Sequence, residues 1–221
     1  MLPLACAQEP QGFDGAVRQK GLSAIDELVG RKPRVPHPGR RLKIVATREV
    51  DIPASAFPAY WRDALRDLLR EYHRRCAFLG LYIPHATGNP TVDHMLPKSR
   101  VWNQVYEWRN YRLCAASINA SKRDLVGLID PFECKTGWFR LELVAFQVVR
   151  GPRAPRVRSK EIEATLKLLN GEDACKAREQ YVADYEAGPG SGGIDLPHLE
   201  RRAPFIAIEL RRQGRLLRGD R

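Results

Sequence analysis

The segment TVDHMLPKSR, residues 91–100, limits the local fold more narrowly than any other part of the sequence. Asp93 and His94 come directly after a β-branched pair, at the end of what reads as a short strand. A second strand is predicted over EWRNYRLC, residues 107–114, and a helix over SINASKRDLVG, residues 117–127. This order of elements predicts a β-hairpin that packs on a helix.

Four polar side chains of this predicted hairpin and helix have the chemistry of a hydrolytic centre. Asp93 and Asn119 would meet as oxygen ligands of a hard divalent cation, Mg²⁺ or alternatively Mn²⁺. His94 would lie beside them as the general base that takes a proton from an attacking water. Asn110 would hydrogen-bond backbone groups of the loop between the strands and so fix the direction of His94.

Charge and length limit the class of partner. The 221-residue chain carries a formal net charge of +11, which favours a polyanion, and nucleic acid before an anionic membrane. No apolar run reaches the length of a membrane span, and the opening MLPLACA lacks the features of a secretory signal. We therefore expect a cytoplasmic protein that binds nucleic acid and no membrane.

The remaining sequence predicts a mainly helical surround for the hairpin, and hence an α+β fold. One strand is predicted over residues 138–149, a flexible loop over GPGSGG at 188–193, and helices over residues 54–75, 159–170, 172–188 and 204–213. The chain is divided into a basic N-terminal arm over residues 1–54, a core over 55–150, and a basic helical extension over 151–221 that packs on the core. The segment RKPRVPHPGRR, residues 31–41, is expected to be irregular.

The five cysteines are scattered and form no Cys-x-x-Cys pair. Cys76 stands where a zinc knuckle could begin, but Leu79 occupies the position of its partner. We expect reduced thiols and no structural zinc.

The segments VDHMLPKS, YEWRNYRLC and INASKRD resemble the ββα-metal motif of the HNH endonuclease family. The resemblance covers roughly residues 76–125. It implies that Asp93 and Asn119 are the metal ligands, His94 the general base, and Asn110 the structural asparagine.

The resemblance also extends to one basic residue near the motif. Lys122 falls on a lysine that often follows in the family, and a phosphate contact is expected for it. Further nucleic-acid contacts are expected at Lys98, Arg100, Arg112 and Arg123. Two departures stand out: the flanking cysteine pairs of many relatives are incomplete, and RVWNQV replaces the glycine-containing loop.

YEWRNYRL and LIDPFE are similar to segments of HNH subunits from bacterial restriction and phage-defence systems of the Septu kind, which work with an ATPase partner. The family resemblance implies a metal-dependent endonuclease that hydrolyses phosphodiester bonds in nucleic acid, with DNA favoured over RNA, leaving a 5′-phosphate and a 3′-hydroxyl. Two alternatives stay open. One is a binding module without turnover, against which the retained His94 speaks, and the other is a subunit active only in complex with an ATPase.

Aromatic and basic residues outside the motif allow two interpretations each. Trp102, Trp108 and Tyr111 are expected to pack the motif rather than to stack on bases. The arginines between Arg150 and Lys160, and those after Glu200, are expected to contact phosphate rather than to form an ordinary solvated surface.

Overall fold

A computed structural model describes residues 1–36 and 39–220. Contacts group the chain into two compact units. The first, here called the N-terminal unit, comprises residues 6–72 and 90–126, and the second, the C-terminal unit, comprises residues 1–5, 73–89 and 127–220. These units do not share boundaries with the predicted segments 1–54, 55–150 and 151–221.

The N-terminal unit contains the predicted hairpin and the helix after it. Strand β1 (Pro90–His94) pairs antiparallel with β2 (Tyr111–Ala115), so that Asp93 lies opposite Arg112 and His94 opposite Tyr111. The elements of the unit are α1 (Gln19–Leu28), α2 (Leu65–Glu71), β1 (Pro90–His94), β2 (Tyr111–Ala115) and α3 (Ala116–Lys122). The hairpin and its helix are therefore confirmed as local structure, and the fold is α+β.

Helix α3 is shorter than predicted. It begins at Ala116 and ends at Lys122 instead of near Gly127. Arg123 adopts φ 43°, a left-handed conformation that an α-helix cannot continue through. The helix is consequently only long enough to present Asn119 and Lys122 to β1.

Aromatic side chains form the core on which the hairpin rests. The Phe13 ring makes edge contacts with Trp108 and Tyr111, at centroid distances of 5.5 and 5.8 Å. The Trp108 indole also donates to the carbonyl of Ala7, at 2.8 Å. Trp108 and Tyr111 are buried, which confirms that these two residues pack the motif.

The helix predicted over residues 54–75 is mostly not α-helical. Two 3₁₀ turns, Ala54–Ala56 and Tyr60–Ala64, precede α2, and α2 ends at Glu71. Pro58 lies between the two turns and has no backbone N–H to donate, which breaks the helical hydrogen bonding there.

The C-terminal unit consists of a hairpin and four helices. Its elements are β3 (Phe139–Leu141), β4 (Val148–Arg150), α4 (Ser159–Leu169), α5 (Glu172–Ala187), α6 (Leu196–Arg202) and α7 (Pro204–Arg212). The single strand predicted over residues 138–149 is wrong. The Glu142 carboxylate accepts from the backbone N–H groups of Val144, Ala145 and Gln147, which folds the segment into a turn between β3 and β4.

Two helices were not predicted. Helix α1 lies inside the expected arm, where Ala24, Ile25 and Leu28 supply a buried face, but Gly21 interrupts the pattern. Helix α6 is only seven residues long, and its visible signal is Asp195, whose side chain accepts from the N–H of His198. In segment 31–41 the described residues form neither helix nor strand; His37 and Pro38, like Arg221 of the tail, lie outside the described residues.

Within residues 1–36 and 39–220, no helix combines the length and the apolar character needed to span a bilayer.

The contact between α1 and the aromatic core gives a stability prediction. A Cβ at Gly21 would lie 2.1 Å from Cγ of Tyr106, a clash with a buried ring. We expect Gly21→Ala to lower the free energy of unfolding by about 1–3 kcal/mol, even after its gain in helix propensity. Urea denaturation followed by tryptophan fluorescence measures this.

Gly15→Ala is the matched control, because a Cβ at Gly15 meets no heavy atom within 4 Å. It should leave stability unchanged or raise it by up to about 1 kcal/mol. Equal destabilisation by both substitutions would contradict the packing described for Tyr106.

Candidate functional site

Lys122 connects α3 to the end of β1. Its side chain is 0% exposed, and its Nζ donates to Asp93 Oδ1 at 3.1 Å and to the carbonyls of His94 and Met95 at 2.7 and 3.4 Å. An ammonium has three N–H donors, and these three oxygens match that number. The phosphate contact predicted for Lys122 does not fit this position, because the ammonium is sealed from solvent and bonded inside the unit.

Asn119 also faces β1 from α3. Its Nδ2 donates to Thr91 Oγ1 at 3.0 Å, and the Thr91 hydroxyl donates to the carbonyl of Cys114 at 3.0 Å. In the described part of the chain the amide oxygen Oδ1 of Asn119 has no hydrogen-bond donor. This oxygen is therefore available as a ligand at the partly exposed side of the helix.

Asp93 and Asn119 belong to neighbouring positions of one interface. Thr91 and Asp93 lie two residues apart and therefore face the same side of β1, about 7 Å from each other. Asn119 contacts Thr91, and Lys122 contacts Asp93. Asn119 and Lys122 are three residues apart and are therefore neighbours on the helix surface. The two predicted ligands thus share the β1–α3 interface.

His94 lies on the other side of β1, since successive side chains of a strand alternate. Its ring packs edge-on between Trp61 and Tyr111, at centroid distances of 4.9 and 5.2 Å. Nε2 is 2.9 Å from the carbonyl oxygen of Val105, in the loop between the strands. A carbonyl only accepts, so Nε2 carries the proton and Nδ1 is left as the acceptor.

Burial holds His94 in its neutral form. The residue is 9% exposed, and this burial lowers the pKa of the imidazole to about 3; the Lys98 and Lys122 charges act in the same direction, and the Val105 carbonyl opposes them. A neutral imidazole can accept a proton at pH 7, although a pKa this low makes it a weak base.

Asn110 fixes the loop that carries Val105. Its Oδ1 accepts from the N–H of Leu96 at 2.7 Å, and its Nδ2 donates to the carbonyls of Leu96 and Gln104 at 3.1 and 2.9 Å. These are hydrogen bonds of the kind predicted for this side chain. They hold the backbone beside Val105, whose carbonyl orients the His94 ring.

The structure brings the predicted site residues together only in part. Asp93 and Asn119 face α3, whereas the His94 ring faces the loop and the aromatic core. The contact with the Val105 carbonyl could not be predicted, because a backbone contact carries no residue signature. Thr91 could have been found, since strand alternation puts it on the face of Asp93.

The basic residues predicted to bind nucleic acid divide into two groups. Arg100 and Arg123 are exposed, and Lys98 is half-buried with its Nζ 4.1 Å from the centroid of the Trp61 ring. Burial lowers the pKa of the Lys98 ammonium. Arg112 is 2% exposed and donates to the carbonyls of Arg109 and Tyr111, so a role in binding nucleic acid does not fit its position.

The donor chemistry of the β1–α3 interface suits a hard cation. Asp93 supplies a carboxylate and Asn119 an amide oxygen, ligand types that Mg²⁺ and Mn²⁺ accept. A cation there would share the carboxylate with the Lys122 ammonium, and this repulsion would weaken its binding. Within residues 1–36 and 39–220 no group of three or more His, Cys, Asp or Glu side chains could hold a metal.

Comparison of the chain with protein-family models, curated proteins and solved structures finds no match.

The burial of His94 predicts a loss of stability in acid. Its folded pKa of about 3 lies below the ordinary value of 6.5, so between these values the unfolded chain binds a proton that the folded chain does not. This contribution is absent above pH 6.5 and destabilises progressively down to about pH 3. We expect His94 to lower the free energy of unfolding by about 2 kcal/mol at pH 5 relative to pH 8.

Urea denaturation of the wild type and His94→Gln at both pH values tests this, since Gln does not titrate. The difference between pH 8 and pH 5 should shrink by about 2 kcal/mol in the variant. His85→Gln is the control, because His85 is exposed and should leave the difference unchanged. A pH dependence that is the same in all three proteins would refute the burial of the ring.

Proposed function

We propose that the chain is a metal-dependent endonuclease of the HNH type that hydrolyses phosphodiester bonds in nucleic acid, with DNA favoured over RNA. The single observation that carries the proposal is the order and pairing of β1, β2 and α3, with Asp93 and His94 closing the first strand and Asn119 facing it from the helix. Cytoplasmic restriction or phage defence is the role we propose for this activity.

His94 is the proposed general base. Its Nε2–H is held by the Val105 carbonyl, so Nδ1 can take the proton of a water that attacks phosphorus. A phosphodiester close to the ring would raise the pKa of the imidazole from its low value, because negative charge stabilises the imidazolium. Asn110 acts as a positioning residue through its hydrogen bonds to the loop.

Asp93 and Asn119 are the residues that would hold the divalent cation. When bound, the cation supplies Lewis-acid stabilisation of charge on the phosphoryl oxygens and the departing sugar oxygen. Arg100 and Arg123, both exposed, are the proposed backbone contacts, and their contribution carries no sequence preference.

A second candidate is a nucleic-acid-binding subunit that is inactive alone. It is favoured by the Lys122 ammonium bonded to Asp93 and by the burial of His94, because both features oppose turnover in this conformation. In this candidate a partner, for which we propose an ATPase, would open the site, or the chain would bind without cleaving.

Plasmid cleavage by the purified chain in Mg²⁺ or Mn²⁺, with and without chelator, tests the proposal. We expect chelator-sensitive nicking or linearisation by the wild type. His94→Ala should reduce the rate by about 10²-fold or more, which is the usual contribution of a general base. DNA retention by the folded His94→Ala protein should stay nearly unchanged.

Arg66→Ala is a matched surface control, because Arg66 is exposed in the same unit and lies outside the site. Wild-type cleavage that survives His94→Ala would remove the histidine from the mechanism. DNA retention without cleavage, both alone and with candidate ATPases, would favour the non-catalytic form of the second candidate.

A further inference from the structure

A basic cavity lies within the C-terminal unit. It has a volume of about 440 Å³ and is lined by His73, Arg75, Tyr82, Arg201 and Arg202. This volume is within the range of small-ligand sites. None of these lining side chains is acidic, so the cavity combines three guanidinium groups, an imidazole and a phenol.

Within the described residues, no carboxylate neutralises the guanidinium groups in this cavity. Among the described residues, Arg75, Arg201 and Arg202 form no ion pair with a carboxylate. Glu200, an acid on the same helix as two of them, pairs instead with Arg211 at 2.9 Å. Three like charges that share one cavity without a counter-charge repel one another, and an anion would relieve that repulsion.

Arg202 is held in place by Tyr82. Its Cζ lies 3.6 Å from the centroid of the Tyr82 ring, and the N–H of Tyr82 donates to the carbonyl of Arg202 at 2.8 Å. A guanidinium stacked by its face keeps its N–H donors at its edge, where a phosphate can accept two of them. The stack thus reduces the freedom that this side chain would lose on binding.

The turn at the start of the cavity is strained. His73 and Arg74 adopt φ 49° and 57°, two consecutive left-handed residues that are not glycine. The strain is maintained by contacts with residue 83, where the N–H of Ile83 donates to the Arg74 carbonyl at 2.7 Å and the Arg74 Nε donates back at 3.0 Å. Strained backbone of this kind is typical of ligand sites.

We propose that this cavity binds a phosphoryl group, from a nucleic-acid strand or from a free nucleotide. The proposal is independent of the nuclease proposal, because it concerns different residues and requires no cleavage. Phosphate suits the cavity better than a carboxylate, since its oxygens can accept paired N–H donors from more than one guanidinium.

Calorimetric titration of the full chain with inorganic pyrophosphate, in chelator and low salt, tests the proposal. We expect one site per chain. Arg75→Gln/Arg201→Gln should weaken binding by about tenfold or more, because two charged donors are lost. The single variant Arg201→Gln should also weaken pyrophosphate binding. Because Arg201 is exposed, this substitution should not disturb folding.

Lys135→Gln/Lys167→Gln is the control, because these exposed lysines of the same unit lie outside the cavity and lose the same charge. The affinity of this control variant for pyrophosphate should remain within about twofold of wild type, because only long-range charge changes. Absence of a stoichiometric pyrophosphate site, or equal losses in both double variants, would overturn the proposal.

Two further binding measurements identify the source of the phosphoryl group. Anisotropy of a labelled single-stranded 12-mer and calorimetry with ATP are compared for wild type and Arg75→Gln/Arg201→Gln. Selective loss of 12-mer binding, with a smaller salt slope, supports the proposal with a strand as ligand. Selective loss of ATP binding supports it with a nucleotide as ligand, and no loss in either measurement would count against it.

Discussion

The buried ion pair between Lys122 and Asp93 is the interaction on which the hairpin site depends. It joins α3 to the last residues of β1, and the same ammonium also binds the carbonyls of His94 and Met95. Both side chains are removed from water, so loss of either partner alone would leave a buried charge and cost about 3–5 kcal/mol. The position of Asn119, one turn earlier on the same helix, follows from this attachment.

The Lys122–Asp93 ion pair also bears on which of the two proposed functions the chain performs, because it opposes cation binding. A cation on Asp93 must coexist with the ammonium, and His94 must act from a largely buried position with a pKa of about 3. Substrate phosphate would strengthen binding of the cation and raise the pKa of His94, because it brings negative charge to the cation and to the imidazole. The proposed nuclease site would therefore be weak at rest and would be strengthened by a substrate, or by a partner that opens it.

Local patterns predicted the elements of the site, and long-range contacts decided the positions of its side chains. The strand ending in Asp93 and His94, the second strand with its asparagine and the helix with Asn119 were all visible in the sequence. The burial of Lys122 and Arg112 could not be predicted from the sequence. A basic residue near a motif is equally compatible with a phosphate contact and with an internal hydrogen-bond donor. Helix α1 was missed because Gly21, which accommodates the Tyr106 ring, breaks the helical pattern.

Titration of the full chain with Mn²⁺, followed by electron paramagnetic resonance, tests the proposed cation site. We expect one weakly bound Mn²⁺ per chain, lost in Asp93→Asn and weakened in Asn119→Ala. His94→Gln should retain it, because the ring faces the other side of β1. Absence of bound Mn²⁺, or binding that survives both Asp93→Asn and Asn119→Ala unchanged, would contradict a cation site between β1 and α3.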